Sequence, residues 1–172
     1  WLVWPGIDIP ARATAIHGIT SERARTHGEP AENAVPAIAA ELLGAWVAGL
    51  PVVVMNAPYD LTLLRHELDR HGHQHLELNG PVLDPLALDR LFEPYLRGKR
   101  NLEALAQRYG VKQEGAHDSR GDAITAARVV WKQAQLYGKG YPLSLTEMQQ
   151  AQADAHRAWA DGFGAYLRSR GK

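Results

Sequence analysis

The stretch Met55-Asn56-Ala57-Pro58-Tyr59-Asp60 decides how the rest of the chain is read. Val52, Val53, Val54 and Met55 form a short apolar, β-branched run entered through Gly49 and Pro51, the pattern of a buried strand. Leu61, Leu64 and Leu68 follow at helical spacing, so Asp60 falls in the first turn of a helix. A carboxylate just past the end of a buried strand stands where open α/β sheets hold a ligand or metal. The same acid could equally serve only to complement the helix dipole.

A second stretch, His117-Asp118-Ser119-Arg120-Gly121-Asp122, favours the first of those readings. Five residues on one continuous helix turn through about 500°, so His117 and Asp122 would not share a face. They converge only if His117 lies on a loop and Asp122 on the helix that follows. Gly110, Gly115 and the polar Lys112-Gln113-Glu114 mark such a loop, and Ala123, Ile124, Ala127, Val130 and Trp131 give the helix its apolar stripe. A loop-borne imidazole beside a helix-borne carboxylate suits metal-assisted hydrolysis.

These two stretches resemble the second and third motifs of DnaQ-like DEDDh 3'–5' exonucleases, the family that includes the epsilon subunit of bacterial DNA polymerase III. Two further segments are similar to that family: Ala15-Ile16-His17-Gly18-Ile19-Thr20, and Asn101-Leu102-Glu103-Ala104-Leu105 followed by Arg108-Tyr109-Gly110-Val111. Four ordered motifs cover roughly residues 1–137. The family's first motif, an Asp-x-Glu on the first strand, has no counterpart. The early acid, Asp8, has no Glu two residues on, and Trp1 to Gly6 resembles the family's third strand.

The resemblance implies a ribonuclease H-like α/β fold, a mixed sheet flanked by helices and here lacking its first two strands. The absence of Met at residue 1 favours truncation over loss of the motif. The missing strand is expected from outside the chain, or else the piece is marginally stable. The resemblance also implies Asp60 and Asp122 as ligands of a two-metal Mg²⁺ or Mn²⁺ site, and His117 as general base. It places His17, Asn56 and Tyr59 at the terminal nucleotide, although His17 could equally be a loop histidine tied to backbone. The substrate would be single-stranded or 3'-end nucleic acid, DNA rather than RNA, with a polymerase or a second copy as partner. Two carboxylates form a weak cage for two dications. Poor activity is therefore expected, and a non-catalytic nuclease-fold module that binds nucleic acid or protein is the second reading.

Composition is compatible with both readings. The 172 residues are 45% hydrophobic and 22% charged, which suits one globular domain with a real core. The net charge is zero, so any nucleic-acid contact must be a local patch. The chain has no cysteine, which excludes disulfides and thiolate metal sites. No apolar run approaches a membrane span, and a cytoplasmic location is the default expectation.

Residues 1–137 read as the exonuclease domain and 138–172 as a linker and C-terminal helix. Residues 7–20 read as a loop, with Thr20 or Ser21 capping a helical turn. A helix from Glu32 to Ala48 carries the stripe Val35, Ile38, Ala39, Leu42, Leu43, Trp46 and Val47. His66, His71, His73 and His75 read as a solvated turn rather than a metal site. Asp84, after the strand-like Pro81-Val82-Leu83, reads as structural. Arg97-Gly98-Lys99-Arg100 is a basic knuckle, either a solvated turn or a phosphate contact. Ser144-x-x-Glu147 is a capping box that opens the final helix.

Overall fold

The computed structural model describes residues 1–114, 118–141 and 143–171. They form two compact units: residues 1–50 with 58–80, and residues 51–57 with 81–172.

In the first unit, β1 (Val3–Trp4) runs parallel to β2 (Glu29–Pro30), with Val3 opposite Glu29. Between them lie α1 (Ala11–His17) and α2 (Ser21–His27). The segment expected as a loop over 7–20 therefore contains a two-turn helix. Ala11, Ala13, Thr14 and Ala15 tolerate helix, and Gly18 ends it in the left-handed conformation at φ 72°. Thr20 caps α2 by accepting the Arg23 N–H at 3.1 Å. Gly28 lets the chain turn tightly into β2, because a Cβ there would lie 2.3 Å from the Ala24 carbonyl oxygen.

The long helix α3 (Ala31–Val47) and α4 (Ala57–Arg70) supply the unit's core, where Val35, Ala39 and Leu68 are buried beneath Leu64, Leu76 and Leu78. The predicted stripe on α3 packs at its N-terminal half. Further on, Leu42, Leu43 and Trp46 are half-buried, with the Trp46 ring against Gly80, and only Val47 is almost fully exposed. Pro36 sits in the second turn of α3, where it removes one intrahelical N–H bond, to the Glu32 carbonyl.

In the second unit, β3 (Val52–Val53) runs parallel to β4 (Val82–Leu83), with Val52 opposite Val82. Then come α5 (Pro85–Phe92), α6 (Leu102–Arg108), α7 (Ser119–Tyr137) and α8 (Leu145–Ser169). Helix α5 packs on α7 and α8, α6 packs on α7, and β3 packs on α7. Leu105, Ala106, Tyr109 and Val129 form the core, with Met55, Val111 and Tyr137 against it.

The expected α/β class is observed. In place of one mixed sheet, the described residues form two separate two-stranded parallel pairs. The pair β3–β4 ends at β4 for a visible reason. Its outer edge is occupied by side chains of α8: Gln149 accepts the Val82 N–H at 3.2 Å, and Gln152 accepts the Asp84 N–H at 3.0 Å. Gln152 also donates to the Val82 carbonyl. These two glutamines replace a neighbouring strand and close the edge. The C-terminal helix, opened by the expected Ser144–Glu147 capping box, thus packs back on its own chain.

A buried carboxylate ties α5 to α6. Asp89 is fully buried and receives Arg100 at 2.6 Å, Arg108 at 2.8 Å and the Tyr109 hydroxyl at 2.7 Å. Arg100 also donates to the carbonyls of Glu93 and Leu96. Of the basic knuckle, Arg100 is therefore committed inward, while Arg97 and Lys99 remain exposed.

Candidate active site

The carboxyl ends of β3 and β4 are joined by one side chain. Asp84, immediately after β4, is buried, and its Oδ1 accepts the backbone N–H of Asn56 at 3.0 Å and of Leu86 at 2.9 Å. Its Oδ2 accepts the N–H of Ala57 at 3.1 Å. The first and third bonds hold the turn after β3; the second caps α5, whose first residue is Pro85. Asn56 occupies the left-handed region at φ 59°, a conformation that asparagine tolerates better than most residues. Helix α4 thus starts from backbone held by a carboxylate, and Asp60 lies in its first turn.

Asp84 is an element that sequence reasoning left undervalued. Its signal was the Asp-Pro pair after an apolar run, a helix N-cap followed by proline at the first helical position. With both oxygens saturated by backbone donors, it is a brace and not a free ligand.

Asp122 lies in the first turn of α7, half-buried, its N–H bonded to the Asp118 carbonyl at 2.9 Å. Asp118 is the N-cap, and its side chain accepts the Gly121 N–H at 3.0 Å. Glu114 pairs with Arg128 of the same helix at 2.6 Å, and Arg128 holds the Glu114 carboxyl below the usual carboxylate range. Glu114, Asp118, Arg120, Gly121 and Ile124 line an open depression beside Asp122. Arg120 is an exposed cation there, a residue the motif reading passed over. His117 lies outside the described residues.

Asn56 and Asp122 belong to the second unit; His17, Tyr59 and Asp60 belong to the first. Tyr59 is 68% exposed on the first turn of α4. His17 ends α1, and its Nδ1 accepts the Ile19 N–H at 3.1 Å. It is tied to backbone, and its other ring nitrogen carries the proton in the neutral ring. Asp8 is spoken for, paired with Arg25 at 2.7 Å.

Asp60 and Asp122 offer the hard carboxylate oxygens that Mg²⁺ and Mn²⁺ prefer. Among the described residues, no group of three or more His, Cys, Asp or Glu side chains could hold a metal ion. Of the four histidines between residues 66 and 75, His66 lies on α4 and not in the expected turn, and the other three follow the helix. The donor type fits a divalent cation and the donor number falls short. Among the described residues, no helix is long and apolar enough to cross a membrane.

Comparison with known proteins places these motifs in context. The family model RNase_T, described as Exonuclease, matches residues 2–130. A DNA polymerase III subunit epsilon-like protein of Rhodobacter capsulatus is 34% identical over 130 residues, covering 73% of this chain and 17% of that protein. The DNA polymerase III subunit epsilon of Rickettsia felis is 32% identical over 130 residues, covering 73% of this chain and 53% of the relative. That of Rickettsia prowazekii matches to the same extent. The chain spans about half the length of the Rickettsia relatives, and far less of the Rhodobacter one.

Proposed function

The chain belongs to the DnaQ-like exonuclease family, and from that premise we propose that it serves 3'–5' removal of nucleoside monophosphates from single-stranded or 3'-end nucleic acid, DNA rather than RNA. The observation that carries this reading is the placement of two acids, Asp60 and Asp122, each in the first turn of a helix that follows a family motif. In both places the helix N-terminus also favours negative charge, whether carboxylate or substrate phosphate.

His117 would accept the proton of the attacking water. The water oxygen would form the new bond to phosphorus as the bond to the 3'-oxygen of the preceding nucleotide breaks, with solvent protonating that oxygen. Asn56 and Tyr59 would place the terminal nucleotide, and Arg120 would face its phosphate. His17 would present its N–H to the same end of the strand. Bound divalent cations would stabilise charge on the phosphate. Asp60 and Asp122 alone would give a weak cage for two such ions. The chain by itself is expected to be feebly active, and full activity would need carboxylates beyond Asp60 and Asp122. A polymerase, as the names of the relatives suggest, would be the natural partner, in the cytoplasm.

A second reading has a specific observation behind it. No Asp-x-Glu occurs anywhere in the sequence, and no three-acid group forms among the described residues. A nuclease-fold module that binds nucleic acid or a partner without cutting fits that observation.

The deciding experiment is Mn²⁺- or Mg²⁺-dependent shortening of a 5'-labelled single-stranded oligonucleotide, with Asp122→Ala as control. Shortening that the substitution abolishes supports the nuclease. No shortening by a folded chain, even when an Asp-x-Glu strand is supplied, would favour the binding module.

A further inference from the structure

Helix α8 lies beyond the residues matched by the exonuclease family model, and its second half carries a feature that the hydrolytic site does not use. Trp159, Phe163 and Tyr166 recur at helical spacing and form one row of rings. Trp159 and Phe163 stack with centroids 5.4 Å apart and planes 8° apart; Phe163 and Tyr166 follow at 6.4 Å and 23°. Their spacing puts them towards one side of the helix, which could face either the core or a partner. In the structure they are 42%, 46% and 52% exposed.

Arginines bracket the row. The Arg90 guanidinium lies 3.4 Å from the Trp159 ring centre, and that of Arg170 lies 5.4 Å from the Tyr166 ring centre. Arg168 is also exposed on the last turns. Arg157 pairs with Asp154 at 2.9 Å; beyond it the sequence holds Arg168, Arg170 and Lys172 against one acid, Asp161, although the chain as a whole is neutral. Exposed aromatic rings interleaved with cations, on a locally basic element of a neutral protein, match the chemistry of single strands: bases stack on rings, and phosphates pair with guanidinium groups.

We infer that the Trp159–Phe163–Tyr166 row of α8, with Arg168 and Arg170, is a second binding site for single-stranded nucleic acid, separate from the hydrolytic residues. Arg90 lies directly against Trp159 at 3.4 Å, whereas Arg170 stands off Tyr166 at 5.4 Å, so a base stacks at the Tyr166 end beside Arg170 and the backbone follows Arg168. The ligand class follows the nuclease reading, but the site does not depend on cutting.

The test is fluorescence anisotropy of labelled oligothymidylate with the full chain in EDTA, which stops hydrolysis. Phe163→Ala/Tyr166→Ala should weaken binding about tenfold. Arg168→Gln/Arg170→Gln should lower the slope of log affinity against log salt by about 1.4. Circular dichroism melting of each variant checks the fold, which these exposed positions should leave intact. Unchanged affinity in both double variants overturns the inference. So does concentration-dependent self-association lost in Phe163→Ala/Tyr166→Ala with oligonucleotide binding unaltered, which would assign the row to a second copy of the chain. Binding in EDTA without metal-dependent shortening leaves this inference standing while the nuclease reading fails.

Discussion

The Asp84 carboxylate accepts the backbone N–H groups of both Asn56 and Ala57, at 3.0 and 3.1 Å, and so fixes the turn that follows β3. Asn56 is held there in a left-handed conformation that costs strain, and the helix bearing Asp60 begins one residue later. The candidate site therefore depends on a side chain that touches no substrate.

Asp84→Asn tests this dependence. An amide keeps one acceptor and turns a donor towards a backbone donor. The loss should be about 1–3 kcal/mol of stability, the cost of leaving a buried group unsatisfied. Urea denaturation measures it, and any nuclease or oligonucleotide-binding activity should fall with it at temperatures where the variant is still folded. A stability within error of the parent would mean that the turn is fixed by other contacts.

Asp89→Ala should be more damaging. The carboxylate is fully buried and pairs with Arg100 and Arg108, whose side chains are 13% and 25% exposed. Removing it strands two guanidinium groups and the Tyr109 hydroxyl. A loss of about 3 kcal/mol or more is expected from chemical denaturation, because breaking a buried pair leaves uncompensated charge. Arg97→Ala and Lys99→Ala, at the exposed residues of the same loop, should leave stability nearly unchanged.

Alkaline stability should depend on Tyr109. Burial first, and its hydrogen bond to Asp89 second, push this phenol well above the ordinary tyrosine value. In the folded state it keeps its proton where the unfolded chain begins to lose it. Its contribution is fully present below about pH 10 and declines as pH rises beyond that. Tyr137, raised by burial and by its bond to Glu93, acts in the same direction. Tyr109→Phe should flatten the decline in melting temperature above pH 10 while lowering stability at pH 7 through the lost bond. An unchanged alkaline slope would remove Tyr109 as the cause.

Much of this architecture was legible in local pattern. Of the two caps expected at α2, Thr20 is the one that serves, and Ser144 caps α8 as expected; each side-chain oxygen accepts the N–H three residues on, as that of Asn101 does at α6. Asp60 and Asp122 stand in first turns, where the changes from β-branched run to helical spacing and from polar loop to helix put them. The stripe expected on α7 was misplaced: Ala123, Ala127 and Trp131 are exposed, and the buried face is Gly121, Thr125, Ala126, Val129, Val130 and Gln133, because Thr125 and Gln133 bury their polar groups by bonding the carbonyls of Gly121 and Pro85. What was not legible depends on distant partners. Residues 11–17 form a helix that begins after Pro10 and has no buried residue, so no apolar period announces it. Gln133, Gln149 and Gln152 look like ordinary polar helix positions; their roles appear only when β4 and α5 lie beside them. Asp89 reads as one more surface acid until Arg100 and Arg108 are folded over it.

Gln152→Ala makes the last point measurable. One side chain accepts the Asp84 N–H and donates to the Val82 carbonyl, while Gln149 takes the Val82 N–H. Truncation at Gln152 leaves two buried backbone groups without partners and exposes the outer edge of β4. The first effect should cost about 1–3 kcal/mol. The second should raise aggregation, since an unpaired strand edge recruits other strands. Gln149→Ala, which frees a single N–H at 3.2 Å in a less buried place, should do less of both. Light scattering at equal folded fraction separates the two effects. Aggregation that rises only in proportion to unfolded chain would leave the stability role and remove the edge-sealing one. Aggregation from the folded state would establish the glutamines of α8 as the substitute for a neighbouring strand.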